Sequence, residues 1–439
     1  MGSIWPAVKW LSLIVTPVLL LGFHYRQSWT AAWRTAFAGL MGVTILAFLI
    51  RDVQIMSSNI AHPPKWDFLI FWVNGRAATQ NLNFYDLNLV WQLAQQYQLP
   101  FDQPAQVYFF YLPPTMLLFL PLGWFDPQTA FLLWYVANLS VLLLDIILLW
   151  KIFLKKSGWM GLMLTTALIF TLNATTDTIY FGQTNFIVLL MLLLFWREHE
   201  RSRSGVWLAM GIFTKHILGV FLMFLALCRS WRVMVGALMA LVAISLLALI
   251  VLGPEPFFSY FTARSTANAP ASLYIEELGA LTEQMNQSLL ATILRLTSYD
   301  FSGGSPLTQP IFVVLGLILT IITGWLVFRL RLDHADWGLS LTLALALLVY
   351  PATLEHYSLL LIAPMLLLWG RRQELVGGVW GVVGFITLEY ALIRSHDVFI
   401  AIALIWFAFA GIGIWMIRRR AGPSIPALLA SFPERSEPG

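Results

Sequence analysis

The sequence predicts an all-α integral membrane protein, a polytopic bundle of about 11–14 transmembrane segments. Three observations predict it. Of 439 residues, 59% are hydrophobic and 11% charged, and the mean hydropathy is +0.76; a soluble domain carries about 25% charged residues to cover its surface. Apolar runs near the ~20 residues that span a hydrocarbon core of about 30 Å recur around a dozen times. Short clusters of lysine and arginine punctuate those runs, as they do in loops held on the cytoplasmic side.

The net charge of +4 resides in those clusters, so it orients helices and is no signal for nucleic acid. The single cysteine, Cys228, excludes an internal disulfide and has no metal-site spacing, which leaves a small core residue. No tandem repeat and no sizeable soluble domain is apparent. The expectation is one membrane domain, residues 1–420, followed by a short disordered cytoplasmic tail, 421–439.

The elements follow in order. Apolar segments 8–23 and 33–50 flank the basic loop His24–Arg34. No small-residue cleavage site follows the first, so it reads as a retained crossing rather than a signal peptide. Residues 51–109 then fall outside. They hold two amphipathic stretches, about 66–80 and 87–97, and the first sets Trp66, Leu69, Ile70, Val73 and Ala77 on one helical face, a pattern suited to the membrane interface. The run 111–125 is short and carries Pro113, Pro114 and Pro121. A full crossing there would put Lys151–Lys156 outside, against the charge rule. A segment that dips in and returns keeps the register, and broken backbone at that depth is tolerated where protein buries it. Further basic clusters, at Arg197–Arg203, Arg229–Arg232, Arg329–Arg331, Arg371-Arg372 and Arg418–Arg420, are expected on the cytoplasmic side. Because arginines bound 205–228 at both ends, that stretch reads as a hairpin of two short helices with Lys215 and His216 at its outer tip. Residues 253–309 form a second long outer loop.

Ionisable groups near membrane depth cost about 2.5–3.5 kcal/mol each on insertion scales, so those that remain are functional candidates. On the outer side they are Asp67, Asp86, Lys215, His216, Glu355, His356 and Arg394, with the loop acids Glu255, Glu276, Glu277 and Glu283. Asp67 has two readings: a first-turn acid that favours the helix start, or a general base whose basicity partial desolvation raises. Pro351 breaks the helix before Glu355-His356, so that pair is either a mutually bonded loop couple or a group converging on a cavity. Lys215-His216 suits an anionic group such as a phosphate, or else Lys215 snorkels to the surface. Gly182-Gln183-Thr184-Asn185 offers amides to a hydroxyl-rich ligand, or caps the helix that follows. Asn286-Gln287-Ser288 has the form of a glycosylation sequon and reads more simply as a helix cap.

In their order along the chain, these pieces resemble the GT-C membrane glycosyltransferases, most closely glycosyltransferase family 87. The residues that carry the likeness are Trp66-Asp67-Phe68, Gly75-Arg76-Ala77, Asn83-Phe84-Tyr85-Asp86, Tyr108 to Pro114 with Tyr111 at its centre, Gly182 to Asn185, Gly211 to Lys215, Asn286 to Ser288, and Glu355-His356-Tyr357. The resemblance spans about residues 40–400. It implies a GT-C-like bundle that moves a hexose, commonly mannose, from a polyprenyl-phosphate carrier to a lipid or glycan acceptor. The reaction would proceed without a metal or other cofactor, at the outer face of a bacterial cytoplasmic membrane, in envelope assembly. It further implies Asp67 as catalytic base, His356 at the active site and Lys215 on the donor phosphate; His216, Gln183, Asn185, Glu355, Tyr111 and Asn286 are expected around the substrates. The chain departs from the family's late motif: Tyr350-Pro351 and His356-Tyr357 stand where a Ser-Pro and paired histidines are usual.

Two rival classes differ in sequence signature. A secondary transporter shows repeated halves with interrupted helices, and a lipid-linked glycan polymerase or ligase places its large outer loop late in the chain. Here there is no repeat, and the long outer loops come earlier.

Overall fold

A computed structural model describes residues 5–61, 67–265, 285–297 and 308–421. Trp66, Glu276, Glu277, Glu283 and the tail from 422 lie outside the described residues. Among the described residues there is no β-strand, and an isolated antiparallel bridge pairs Asn286 with Leu354. In chain order the helices begin α1 (Trp5–Tyr25), α2 (Ala31–Ala61), α3 (Asp67–Thr79), α4 (Leu87–Gln96) and α5 (Pro127–Leu149). Then come α6 (Gly158–Thr171), α7 (Asn173–Phe181), α8 (Asn185–Arg197), α9 (Ser204–Thr214), α10 (Phe221–Leu227), α11 (Trp231–Leu252) and α12 (Glu255–Ser265). The series closes with α13 (Leu289–Thr297), α14 (Thr308–Leu330), α15 (Ala335–Val349), α16 (Ile362–Gly370), α17 (Gly378–Arg394) and α18 (Val398–Ala421). Five stretches among them are long and apolar enough to cross a bilayer. α11 and α14 are the least covered of these and turn residues such as Met239, Ile250, Leu317 and Ile321 outward, as helices bathed in lipid must.

Side-chain contacts tie the basic clusters to one end of the bundle. Arg372 donates to His24 Nδ1 at 3.4 Å, the Gly370 backbone lies against the Phe153 carbonyl, and Trp196 donates to Asp336 Oδ1 at 2.8 Å. At the opposite end Asn59, near the end of α2, donates to the Tyr180 carbonyl at 2.9 Å. Since α2 rises from the basic end and α5 descends to it, residues 67–126 begin and finish at the same end. The run 111–125 therefore turns back instead of crossing. Short 3-10 turns and a four-residue helix around Pro113, Pro114 and Pro121 make that turn. Asp126 then caps α5, accepting from the Gln128 and Thr129 amides, with Pro127 at the first helical position.

Two expectations need correction. α2 continues to Ala61, so Arg51 and Asp52 lie inside this helix and not in the outer stretch. They pair at 2.8 Å, both buried. Their purpose is legible at the break between α6 and α7, where Leu172 is extended and α6 leaves carbonyls unpaired. Arg51 donates to the Phe170 carbonyl at 3.3 Å, and Arg394, from the end of α17, donates to that of Thr171 at 3.0 Å. The second correction concerns α3. The expected face of Leu69, Ile70, Val73 and Ala77 is buried, but so are Phe68, Phe71, Trp72, Asn74 and Gly75 around the rest of the helix. α3 is packed inside protein, whereas α4 is amphipathic as expected, with Val90, Leu93 and Ala94 inward and Asp86 as its cap.

Glycine makes the α3 packing possible. A Cβ on Gly75 would stand 2.7 Å from the Phe119 carbonyl oxygen, and one on Gly123 would overlap the Gly75 carbonyl. Arg76 donates to the Gly123 carbonyl at 2.8 Å and to Tyr97 Oη at 3.0 Å. The Gly75-Arg76-Ala77 motif thus seats α3 against the turn 120–124 and leaves Asp67 at its other end.

Candidate active site

Three segments meet beside Asp67: the turn between α7 and α8, the α9–α10 hairpin tip, and the chain after Pro351. The first is shaped by Gly182. Its φ of +67 closes α7 in the left-handed region, where glycine carries no steric penalty. A Cβ there would meet the Phe68 Cβ at 2.9 Å. Trp134 donates to the Gly182 carbonyl at 2.6 Å, and the Gln183 amide donates to the Thr178 carbonyl at 3.0 Å. The turn is thereby pressed against the residue next to Asp67. No side chain caps α8, so the side chains of Gln183 and Asn185 are spent elsewhere.

They hold Lys215. Its Nζ donates to Gln183 Oε1 at 3.1 Å and to Asn185 Oδ1 at 2.7 Å, and lies 3.7 Å from the centroid of the Tyr357 ring. Lys215 is only 4% exposed, which rules out snorkelling. Burial draws its ammonium well below the usual lysine range, and the Asp67 carboxylate opposes that shift. Neutral dipoles and a π face cage the group at a hairpin tip, as the arginine bracketing predicted. Asn185 Nδ2 in turn donates to Thr178 Oγ1 at 3.0 Å and to the His356 carbonyl at 3.3 Å, tying the third segment in.

Asp67 lies deep among protein atoms, yet part of its surface stays accessible. Its carboxylate interacts with the Gln183 side chain and the Lys215 charge. Burial pushes this carboxyl up to about 6; the Gln183 hydrogen bond and the nearby ammonium pull the other way and do not cancel it. The His356 ring is 2% exposed, and neither of its nitrogens has a hydrogen-bond partner among the described residues. A buried imidazole left open on both sides costs stability unless something else meets it.

The other expected residues divide. Tyr111 is close enough to Tyr357 to influence its hydroxyl electrostatically. His216 turns its ring to Tyr350, 5.8 Å between centroids. Glu355 pairs with His396, Oε2 to Nδ1 at 2.7 Å. Asn286 is structural, donating to the Pro351 carbonyl at 2.9 Å and accepting from the Ser288 amide at 3.1 Å. Ser288 then accepts from Ala291, so this segment is the helix cap foreseen. Glu255 accepts from Asn83 at 3.3 Å, a link between the two outer segments. Tyr357 and His396 were not singled out in the sequence. The signal for Tyr357 was its place beside His356 in the late motif; His396 offered none beyond its position between two crossings.

A many-pass helical bundle with a carboxylate, an ammonium and an open imidazole gathered at the end opposite its basic loops has the architecture of a membrane-embedded transferase. The chain belongs to glycosyltransferase family 87, whose pattern matches residues 109–354, more than half of its length. That makes it a membrane glycosyltransferase. The matched segment contains Tyr111, Gln183, Asn185, Lys215 and Asn286; Asp67 and His356 lie outside it, and the fold brings them to Lys215. Comparison with curated proteins and with solved structures found no match.

Proposed function

We propose that this protein transfers a hexose, mannose by analogy with its family, from a polyprenyl-phosphate carrier to a hydroxyl of a lipid or glycan acceptor in a bacterial envelope. The observation that carries the reading is the Asp67–Gln183–Lys215 constellation with the unpartnered His356 ring beside it. The charge rule favours a cytoplasmic basic end, and this supports a site at the outer face of the cytoplasmic membrane.

Asp67 takes the proton of the acceptor hydroxyl as its oxygen attacks the anomeric carbon. The bond from that carbon to the phosphate oxygen breaks in the same step, with inversion, and its electron pair leaves with the phosphate. A carboxyl near 6 is ionised at neutral pH and still basic enough to accept the proton. Lys215 and a His356 N–H meet the phosphate charge as it grows. A phosphate leaves without strong acid assistance, so one base suffices, unlike the paired carboxylates of glycoside hydrolysis. Metal independence belongs to this proposal, since the ammonium supplies the positive charge.

The test is purified protein in liposomes with radiolabelled polyprenyl-phosphate mannose and an extracted envelope lipid. Label should pass to a new product with inverted anomeric configuration. Recovery of the donor intact on the other side of the membrane would instead mark a transporter.

A further inference from the structure

We infer, building on the transfer reading above, that Gln183 couples occupancy of the phosphate site to the basicity of Asp67, so that the base strengthens once a donor is bound. A primary amide has one acceptor oxygen and one donor nitrogen. The Gln183 oxygen is taken by Lys215 at 3.1 Å, which leaves its Nε2 to face the Asp67 carboxylate. One side chain therefore bridges cation and base. Gln183 has little freedom to do otherwise: it is 2% exposed, and its backbone is held by Thr178 and the Gly182 turn.

Lys215 has three N–H donors, and Gln183 and Asn185 accept two of them. An arriving phosphate takes the third and neutralises the ammonium. Two effects on Asp67 follow, with the same sign. The field that favours its ionised form weakens. The amide, no longer polarised by a free ammonium, also donates less strongly to the carboxylate. Both make Asp67 hold a proton better, which is what a base does. In the empty site the carboxylate is the weaker base of the two states. Other titratable groups facing this region are Tyr357, with Tyr111, Tyr350 and His356 around it; His62 and Lys65 lie outside the described residues. Gln183 is a positioning residue here and acts through Asp67 and Lys215.

Two measurements test the coupling. In wild-type protein the acidic limb of kcat, which reports the donor complex, should lie about 1 pH unit above that of kcat/KM for the donor, which reports the free enzyme. Coincident limbs overturn the inference. Calorimetric titration with sugar-free undecaprenyl phosphate near pH 6.5, in buffers of different ionisation enthalpy, should show wild type taking up about half a proton more than Asp67→Asn. Gln183→Met should show a smaller excess. Equal uptake by wild type and Asp67→Asn, or a full wild-type excess in Gln183→Met, overturns the coupling. If Asp67→Asn is inactive while uptake is unchanged, only the coupling fails; if Asp67→Asn transfers normally, the base assignment fails first.

Discussion

Replacing Gly182 by alanine isolates the part the α7–α8 turn plays, because the added methyl would meet Phe68, Phe131 and Trp134. At φ +67 an alanine sits in the left-handed region, at a cost of about 1–2 kcal/mol. Its Cβ would also stand 2.9 Å from the Phe68 Cβ, and crowding of that kind adds about 1–3 kcal/mol. Loss of unfolded-chain freedom offsets about 0.4–1 kcal/mol. The net destabilisation is about 1–5 kcal/mol, enough to lower the melting midpoint of the purified protein by several degrees. The effect on rate is the sharper expectation. Relief of the clash separates Phe68 from the turn, and hence Asp67 from Gln183, and a displacement of about 1 Å costs on the order of 100-fold in transfer. Gly39→Ala is the control, since nothing lies within 4 Å of its added methyl; it should leave rate unchanged and stability equal or slightly higher. The assay is initial transfer rate beside a melting curve for both variants. Near wild-type transfer by Gly182→Ala would refute the claim that this turn positions the base.

Three further expectations follow. With Asp67 as the proposed base and its carboxyl raised to about 6, kcat/KM should be full above about pH 7 and fall about tenfold per unit below pH 5; a profile flat to pH 4.5 would contradict it. For stability the same shift acts with the opposite sign: the folded state holds this proton more tightly than the unfolded chain, so its stabilising contribution is present below pH 4 and lost as pH rises through about 6. Gly123→Ala should lose several kcal/mol or fail to accumulate folded, because its methyl overlaps the Gly75 carbonyl; unchanged melting would show that α3 does not need this close seat.

Much of the architecture was legible because charge and hydropathy are local signals. Arginines on both sides of 205–228 sufficed to fold the hairpin and set Lys215 at its tip, away from the basic end. The proline-rich 111–125 could be read either as crossing or returning, and the contacts at the two ends decide for return. What local patterns missed is instructive. A helical wheel of α3 shows an apolar face, but Phe68, Phe71 and Trp72 continue it around the helix, the mark of a buried element. Arg51-Asp52 reads as the end of a crossing, yet its purpose is set by a helix break about 120 residues later, which no periodicity encodes. The meeting of Asp67 with Gln183 and Lys215 is of the same kind. Each residue could be nominated by chemistry, but their convergence depends on Gly182, whose need for a positive φ emerges only in the folded chain. Glu355 and Asn286 show the reverse: chemically apt residues whose hydrogen bonds are spent on His396 and on the Pro351 carbonyl.

The most direct measurement is the transfer rate of Asp67→Asn from polyprenyl-phosphate mannose, made on protein shown by its melting curve to be folded. Asparagine keeps the shape and removes the proton acceptor. The expected result is a rate lower by about 100-fold or more, with melting at pH 7.5 no lower than wild type, since a carboxyl strained by burial has been neutralised. Transfer within a few-fold of wild type would contradict the central claim that this carboxylate is the base.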